Sequence, residues 1–365
     1  MNFRFLITAL VIVFYGQLQA QKKDSLDIMI GQMILIGVTG TSIDENNETL
    51  KAVQQGLAGS VILFEKNIDA VDSYVKLKSL TSALQTAASV PLFIAIDQEG
   101  GRVNRMKPKY GFPRSVTHKY LGQTGSLDST RFYSELMACT LSGVGINLNF
   151  APVVDLDINP DNPIIGKYGR SFSVDPDTVI AHASTFIDAH HYYGVLTSLK
   201  HFPGHGSSKS DTHLGIADVT KSWTSEELRP YSILIKTGKV DAIMSAHIVN
   251  KKLDKTGRPG TLSEPIITGI LRDSLKFDGV IFSDDMHMKA ISSQYGLRES
   301  LKLSINAGID IVSFSHNLPD QRASSAVIVH KTIRELVNSG EIPKSRIRES
   351  YHRIMELKMR LNAGF

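Results

Sequence analysis

Eight short apolar runs, separated by longer amphipathic segments, constrain the fold of this chain more than any other feature. The runs cover residues 33–37, 60–64, 92–96, 146–150, 196–199, 242–245, 280–283 and 309–314. Helix-like segments lie between them, at 44–56, 70–88, 176–193, 224–237, 263–275 and 298–306. A repeated strand, helix, strand order implies parallel strands. Eight such units predict a closed (β/α)8 barrel rather than an open doubly wound sheet.

The first twenty residues form a separate segment. Arg4 precedes an almost unbroken apolar run from Phe5 to Tyr15, and Ala20 offers a small residue for cleavage. This pattern predicts a secretory signal peptide over residues 1–20, with export across the inner membrane to the periplasm or the exterior. An uncleaved N-terminal anchor is the alternative. No later run is long and apolar enough to predict an integral membrane span.

Composition and charge bound the organisation and the partners of the remaining chain. No linker rich in proline, glycine or serine divides residues 21–365, so we expect a single barrel domain. The formal charge of +4 is small and dispersed, which argues against a nucleic acid partner. One cysteine is present, so the chain has no intramolecular disulfide. We expect the mature protein to be a monomer.

Polar clusters follow the predicted strands, at the ends where barrel enzymes carry their catalytic groups. The densest is the stretch 200–206, Lys-His-Phe-Pro-Gly-His-Gly, which is followed by Asp211-Thr212-His213. Other clusters begin at Asp97 after the third run, and at Asp284 after the seventh. Any one of these polar groups could cap a helix or close a turn. Their convergence on one barrel mouth predicts an active site.

These motifs resemble those of the family 3 glycoside hydrolases. The resemblance is carried by the stretches 97–105, 200–206, 211–213 and 282–286, and it extends from about residue 30 to residue 315. The loop with Asp211 and His213 is similar to that of the β-N-acetylglucosaminidase branch. Many β-glucosidases of the family instead draw their acid/base from a separate domain, which we do not expect in this chain. The resemblance implies a carbohydrate substrate, and neither a metal nor a cofactor.

A retaining glycosidase needs a carboxylate against the anomeric carbon and a proton donor beside the leaving oxygen. Two places in the chain fit these requirements. Asp284 directly follows an apolar run, and the resemblance implies that it is the nucleophile. His213 can act as a general acid/base near neutral pH, with Asp211 orienting its ring. The resemblance assigns this pair the same role. Strand alternation would point Asp285 elsewhere, so we expect it to have a supporting role.

The resemblance also implies which residues hold the sugar. Asp97 would accept hydrogen bonds from ring hydroxyls, while cationic and imidazole groups would hold hydroxyl or carbonyl oxygens. These groups are Arg105, Arg170, Lys200 and His201. The residues around Arg170 depart somewhat from the usual form of the branch. Three further polar residues are predicted to support the site rather than to bind sugar: Glu99, His205 and His247.

The implied activity is the removal of terminal β-linked N-acetylhexosamine through a covalent glycosyl-enzyme, with peptidoglycan fragments, chitooligosaccharides or related glycans as substrates. A β-glucosidase or β-xylosidase of the same family is one alternative. A non-catalytic glycan-binding barrel is another, although the intact Asp211, His213 and Asp284 argue against it. A metallohydrolase is the third, but the histidine spacing matches no strong zinc signature and Lys200 would repel a cation.

Overall fold

Eight parallel strands close into a barrel in the computed structural model, which describes residues 25–315 and 325–363. The barrel strands are β1 (Ile34–Gly37), β2 (Ser60–Leu63), β3 (Phe93–Ile96), β4 (Leu148–Asn149), β5 (Leu196–Phe202), β7 (Ala242–Ser245), β9 (Val280–Asp285) and β10 (Ile311–Phe314). Two short strands, β6 (Ala217–Asp218) and β8 (Ile248–Val249), pair outside the barrel. Each predicted apolar run supplies one barrel strand, and the predicted (β/α)8 fold is confirmed.

Helices alternate with the barrel strands. They are α1 (Ser25–Gln32), α2 (Glu48–Gln54), α3 (Ser73–Ala87), α4 (His118–Thr124), α5 (Leu127–Gly143), α6 (Pro176–Tyr192), α7 (Arg229–Lys236), α8 (Lys289–Ser292), α9 (Leu297–Ala307), α10 (Ala326–Asn338) and α11 (Lys344–Ala363). A π-helical segment, Pro265–Ser274, lies between β8 and β9. The start of α6 follows from local chemistry, because the side chain of Asp175 accepts a hydrogen bond from Thr178 N and Pro176 occupies the first turn.

Apolar side chains fill the interior of the barrel. Phe282 on β9 meets Phe93 on β3, a strand that is not its neighbour, with ring centroids 6.3 Å apart. Phe150, just after β4, packs edge to face on the ring of Phe282, with the ring centroids 5.2 Å apart. Every residue of β1, β2, β3, β5 and β7 is buried, as expected for parallel strands covered on both faces. This packing gives the residues at the strand ends a rigid support.

The predicted signal peptide, residues 1–20, lies outside the described residues. In the part of the chain that the structure covers, no helix is both long and apolar enough to cross a membrane. The extent of the domain, residues 21–365, stays a prediction.

Candidate active site

The C-terminal ends of the barrel strands surround one pocket. Its lining combines residues from the loops after β3, β4 and β5 with the ends of β9 and β10. It includes seven of the eight site residues predicted from the sequence: Asp97, Arg105, Arg170, Lys200, His201, His213 and Asp284. The eighth, Asp211, holds the ring of His213. The structure therefore brings the predicted residues together, although they come from separate parts of the chain.

Linked ion pairs form one wall of the pocket. Lys200 is buried, and its Nζ lies 2.7 Å from Asp97 Oδ1 and 2.6 Å from Glu99 Oε1. Glu99 also accepts two hydrogen bonds of 2.7 Å from Arg170, one from Nε and one from Nη2. Arg105 Nη2 lies 3.4 Å from Asp97 Oδ2. Lys200 and Glu99 are buried and the other three charges are partly buried, which is tolerated because each charge meets an opposite charge at hydrogen-bond distance.

These cations keep both carboxyl groups ionised. Burial alone would raise the pKa of Asp97, but Lys200 and Arg105 outweigh it and bring that pKa below its ordinary value. Burial likewise acts to raise the pKa of Glu99, and Arg170 and Lys200 lower it well below the ordinary range. Both groups therefore act only as hydrogen-bond acceptors at neutral pH.

Glu99 has a more direct role in the site than the sequence predicted. It was expected to support other residues, and it does hold Arg170 and Lys200, but it also lines the pocket itself. The available signal was its position two residues after Asp97 in the same motif. The contacts that give it this place come from residues far along the chain, and the motif alone does not reveal them.

His201 is oriented by a carboxylate that the sequence analysis did not assign. His201 Nδ1 donates to Asp155 Oδ2 at 2.6 Å, and Asp155 Oδ1 accepts from the backbone N–H groups of His201 and His205. On the other side of the ring, Arg170 Nη2 lies 3.2 Å from Nε2 and donates to it. These two contacts fix the orientation of the imidazole ring between Asp155 and Arg170. Asp155 lies after the fourth predicted run, and the sequence analysis gave it no role.

Asp284 and Asp285 end β9 in different surroundings. Asp284 faces the pocket and accepts a 2.8 Å hydrogen bond from the backbone N–H of Asp285. Asp285 turns its carboxylate to the hydroxyl of Ser315 at the end of β10, and accepts from the backbone N–H of His287 at 3.0 Å. Asp285 thus joins the ends of two strands. It also lines the pocket beside Asp284, so strand alternation does not turn it away from the site as expected.

Three histidines hold Asp284 in its ionised form. Burial acts to raise the pKa of Asp284, but His247, His201 and His213 outweigh it, and the pKa lies below the ordinary value of an aspartate. His247 is fully buried, and its Nε2 donates to the carbonyl oxygen of Asp285 at 3.0 Å. An ionised carboxylate is the form that a nucleophile at an anomeric carbon requires.

His213 and Asp211 stand at the mouth of the pocket. His213 Nδ1 donates to Asp211 Oδ1 at 2.7 Å, and the same oxygen accepts the backbone N–H of His213 at 2.8 Å. The side chain of His213 is 47% exposed, so a bound molecule can reach it. The loop is tied to the segment after β9, because Ala290 N–H donates to Thr212 O at 3.2 Å. The pair leaves Nε2 as the ring atom that can exchange a proton with a ligand.

Among residues 25–315 and 325–363, no group of three or more histidine, cysteine, aspartate or glutamate side chains is placed to hold a metal ion. The imidazoles of His201 and His213 bind carboxylates, and the carboxylates of the pocket bind lysine, arginine, hydroxyl and backbone groups.

Comparison with known sequences connects this site to a family. Residues 25–357 match the glycosyl hydrolase family 3 N terminal domain. The "Beta-hexosaminidase" of Tolumonas auensis is 37% identical over 289 residues, which are 78% of this chain and 83% of that protein. The "Beta-hexosaminidase" of Xylella fastidiosa strain M23 is 37% identical over 302 residues, which are 81% of this chain and 87% of that protein.

Solved structures share the fold over nearly the whole chain. The glycoside hydrolase family 3 beta-N-acetylglucosaminidase from Paenibacillus sp. superposes with a TM-score of 0.85 and 31% identity, covering 94% of this chain and 64% of that one. The beta-N-acetylhexosaminidase from Beutenbergia cavernae gives a TM-score of 0.79 and 28% identity, covering 92% of this chain and 99% of that one. The chain thus spans less than two thirds of the first of these proteins and almost all of the second.

Proposed function

This chain belongs to glycosyl hydrolase family 3 and is a glycoside hydrolase, and from that premise we propose a retaining exo-β-N-acetylhexosaminidase with Asp284 as its nucleophile. The family and branch expected from the motifs are confirmed. One observation carries the mechanism: an ionised Asp284 and the His213–Asp211 pair meet at the same pocket. This arrangement supplies a nucleophile and a separate proton donor.

In the first step, an oxygen of Asp284 forms a bond to the anomeric carbon while the bond to the leaving oxygen breaks. The proton on Nε2 of the His213 imidazolium moves to that oxygen, so the aglycone leaves as a neutral alcohol. Asp211 stabilises the imidazolium through its 2.7 Å contact with Nδ1. The products of this step are the free aglycone, a neutral His213 and a glycosyl ester on Asp284.

In the second step, water attacks the anomeric carbon and the ester bond to Asp284 breaks. Neutral His213 takes the proton from the water, which restores the imidazolium and the free carboxylate of Asp284. Two displacements at one carbon retain the β configuration of the sugar.

The shape of the pocket supports attack at the end of a glycan. Its floor is closed by Leu35, Phe150 and Met244 of the barrel interior, so a chain cannot pass through. Asp97 and Lys200 present an acceptor and a donor to the sugar that fills the pocket. The terminal sugar of the glycan is therefore held between charged hydrogen-bonding groups, with its glycosidic oxygen towards the mouth of the pocket.

The substrates that we propose are terminal β-linked N-acetylhexosamine units of peptidoglycan fragments, chitooligosaccharides or related glycans. The N-acetyl preference is supported by relatives named beta-hexosaminidase. The predicted signal peptide would place the enzyme in the periplasm or outside the cell, where such fragments occur.

A panel of aryl β-glycosides tests the sugar preference, and proton NMR of the first-formed product tests the stereochemistry. We expect cleavage of the N-acetylglucosaminide to exceed that of the glucoside and xyloside, with the β-anomer of the free sugar appearing first and no effect of a chelator. A preference for glucoside or xyloside would favour the other activities of the family. Initial release of the α-anomer would contradict retention, and sugar binding without turnover would indicate a non-catalytic barrel.

A further inference from the structure

A buried carboxyl group outside the pocket lies against the base of the loop that carries His213. We define the acid/base loop as residues 206–216. Glu227 belongs to the short 3-10 helix Ser225–Leu228, which leads into α7, and only 1% of Glu227 is exposed. Its Oε2 accepts the backbone N–H of Gly206 at 3.0 Å. Glu227 therefore binds the first residue of the acid/base loop.

The chain around Gly206 has no free space on either side. Gly204 has a φ of +113°, and a Cβ placed there would lie 2.5 Å from the Cβ of Glu227. A Cβ on Gly206 would lie 1.8 Å from the carbonyl oxygen of Leu156. Glycine at both positions lets the turn fit between Glu227 and the segment after β4. A change in the side chain of Glu227 is thus transmitted to the turn.

Two neighbours complete the attachment of this turn. Asn162 Nδ2 donates to the carbonyl oxygen of Gly206 at 3.1 Å, so both polar groups of the Gly206 backbone are bound by side chains. Trp223 Nε1 donates to Pro203 O at 3.0 Å. Glu227 and Trp223 both follow the acid/base loop in sequence, so the chain returns to hold the point from which the loop departs.

The chemistry of Glu227 also differs from that of the carboxylates in the pocket. Its pKa is raised to about 7, chiefly by burial; the nearby Asp155 adds to the rise, and hydrogen bonds from Ser207 and Gly206 oppose it. Near neutral pH the group exchanges between acid and carboxylate. Both forms keep an oxygen that accepts the N–H of Gly206.

We propose that Glu227 is a positioning residue that fixes the base of the acid/base loop through Gly206 and so sets the place of His213 at the pocket mouth. The inference rests on the proposed acid/base function of His213. It predicts that removing the acceptor of Glu227 loosens the loop and impairs proton donation, while the sugar-binding wall of Lys200, Asp97 and Glu99 stays intact.

Two variants distinguish the effect of the hydrogen-bond acceptor of Glu227 from the effect of its side-chain volume. Glu227→Leu keeps a side chain of similar bulk without an acceptor, and Glu227→Gln keeps an acceptor oxygen. Glu226→Leu is the matched control, because Glu226 is exposed on the same 3-10 helix. Backbone amide hydrogen exchange over residues 206–216 should be about tenfold faster in Glu227→Leu, because the loss of one buried hydrogen bond changes the opening equilibrium by about that factor. Glu227→Gln and Glu226→Leu should exchange like the wild type.

Kinetics supply a readout that general destabilisation would not produce. Glu227→Leu should lose more kcat/KM on glycosides with poor leaving groups than on activated aryl glycosides, with unchanged inhibition by free N-acetylglucosamine. If Glu227→Leu does not fold, Glu227→Ala takes its place. Unchanged loop exchange, or an equal loss on all substrates, would overturn the inference. If His213→Ala itself shows no dependence on the leaving group, the acid/base assignment fails, and the exchange measurement still decides whether Glu227 fixes the loop.

Discussion

At the scale of single residues, the chemistry of the pocket depends on partners that are distant in sequence. Arg170 and Glu99 are 71 positions apart, and Lys200 and Asp97 are 103 apart, yet both pairs meet at 2.7 Å. The sequence identified Asp97, Lys200 and Arg170 because each lies in a recognisable motif. It did not show that Glu99 joins Lys200 to Arg170, because pairing across loops is set by the closure of the barrel.

The proposed catalytic groups also differ in how far the sequence predicted their contacts. Asp211 and His213 are two residues apart, so their contact follows from local geometry and was predicted. The environment of Asp284 was not predicted, since the histidines that lower its pKa, His247 and His201, come from distant parts of the chain. Whether a side chain acts as a nucleophile depends on its charge, and its charge depends on these neighbours.

Replacement of the proposed acid/base tests the histidine mechanism. His213→Ala should slow glycosides with poor leaving groups far more than activated aryl glycosides, because a good leaving group needs little protonation to depart. With activated substrates the second step should become limiting, and azide should accelerate turnover because it captures the sugar without base assistance. Asp211→Asn should show a milder form of this pattern. The measurement is kcat and kcat/KM across a series of leaving groups, with and without azide.

An equal loss on all substrates, without azide rescue, would contradict the acid/base role. His213 would then bind substrate or hold the loop, and Asp285, which also lines the pocket, would be the next candidate for the proton donor.

At the scale of elements, periodicity predicted which segments form strands, but not where they end. The fourth run was predicted over 146–150, and β4 pairs only over Leu148–Asn149. The fifth and seventh runs were predicted to end at 199 and 283, whereas β5 reaches Phe202 and β9 reaches Asp285. Both extensions carry polar site residues, which an apolar pattern does not include. Each of the six predicted helix-like segments contains a helix, but the π-helical form of Pro265–Ser274 has no signal in a periodicity of 3.6 residues.

Titration of Glu227, on the 3-10 helix before α7, should make the stability of the fold depend on pH. Because the pKa of Glu227 is raised to about 7 in the fold, the unfolded chain releases this proton first as the pH rises from about 4.5. Its contribution to stability is complete below that pH and is lost as the pH rises through about 7. Two groups face it: Asp155 from the segment after β4, whose charge adds to the effect, and Tyr231 from α7.

Glu227→Gln should remove this loss. Denaturant titration should show that the variant becomes more stable relative to the wild type as the pH rises from 5 to 8, so that the difference in the free energy of unfolding increases in favour of Glu227→Gln. Glu226→Gln should show no such change. A constant difference between Glu227→Gln and the wild type at all pH values would mean that Glu227 does not titrate in this range.

At the scale of the whole molecule, the end of the barrel opposite the pocket is closed by the last helix. Lys358 on α11 is buried, and its Nζ donates to Gln32 Oε1 at 2.6 Å and to Gly59 O at 2.7 Å. The amine also lies 4.9 Å from the ring centroid of Phe93. Burial lowers the pKa of Lys358 to about 7. A neutral amine, with two N–H donors, matches the two acceptors that it meets.

Lys358 therefore predicts a second dependence of stability on pH, with the opposite sign. The unfolded chain keeps the proton up to a pKa near 10.5, so between about pH 7 and pH 10.5 it binds more protons than the fold, and stability rises with pH. Lys358→Met should be less stable at pH 9, because it loses two hydrogen bonds, but its stability should rise less with pH. Parallel curves for the two proteins would contradict the assignment.

Secretion is the second prediction for the whole chain. Because residues 1–20 resemble a cleavable signal peptide, the mature protein should begin at or near Gln21 and fractionate outside the cytoplasm. N-terminal sequencing of the protein recovered from cell fractions tests this. An unprocessed chain in the cytoplasm would contradict it, and an unprocessed chain in the membrane fraction would indicate an anchor.

Trapping of the glycosyl-enzyme tests the central claim most directly. A slowly hydrolysed fluorinated N-acetylhexosaminide, incubated with the full chain and followed by proteolysis and mass spectrometry, should add one sugar mass to the peptide that contains Asp284. Asp284→Ala should take up no label and lose turnover while its thermal unfolding stays close to that of the wild type. Label on Asp285 or Glu99 would contradict the assignment of the nucleophile, and turnover without any covalent adduct would contradict the two-step mechanism.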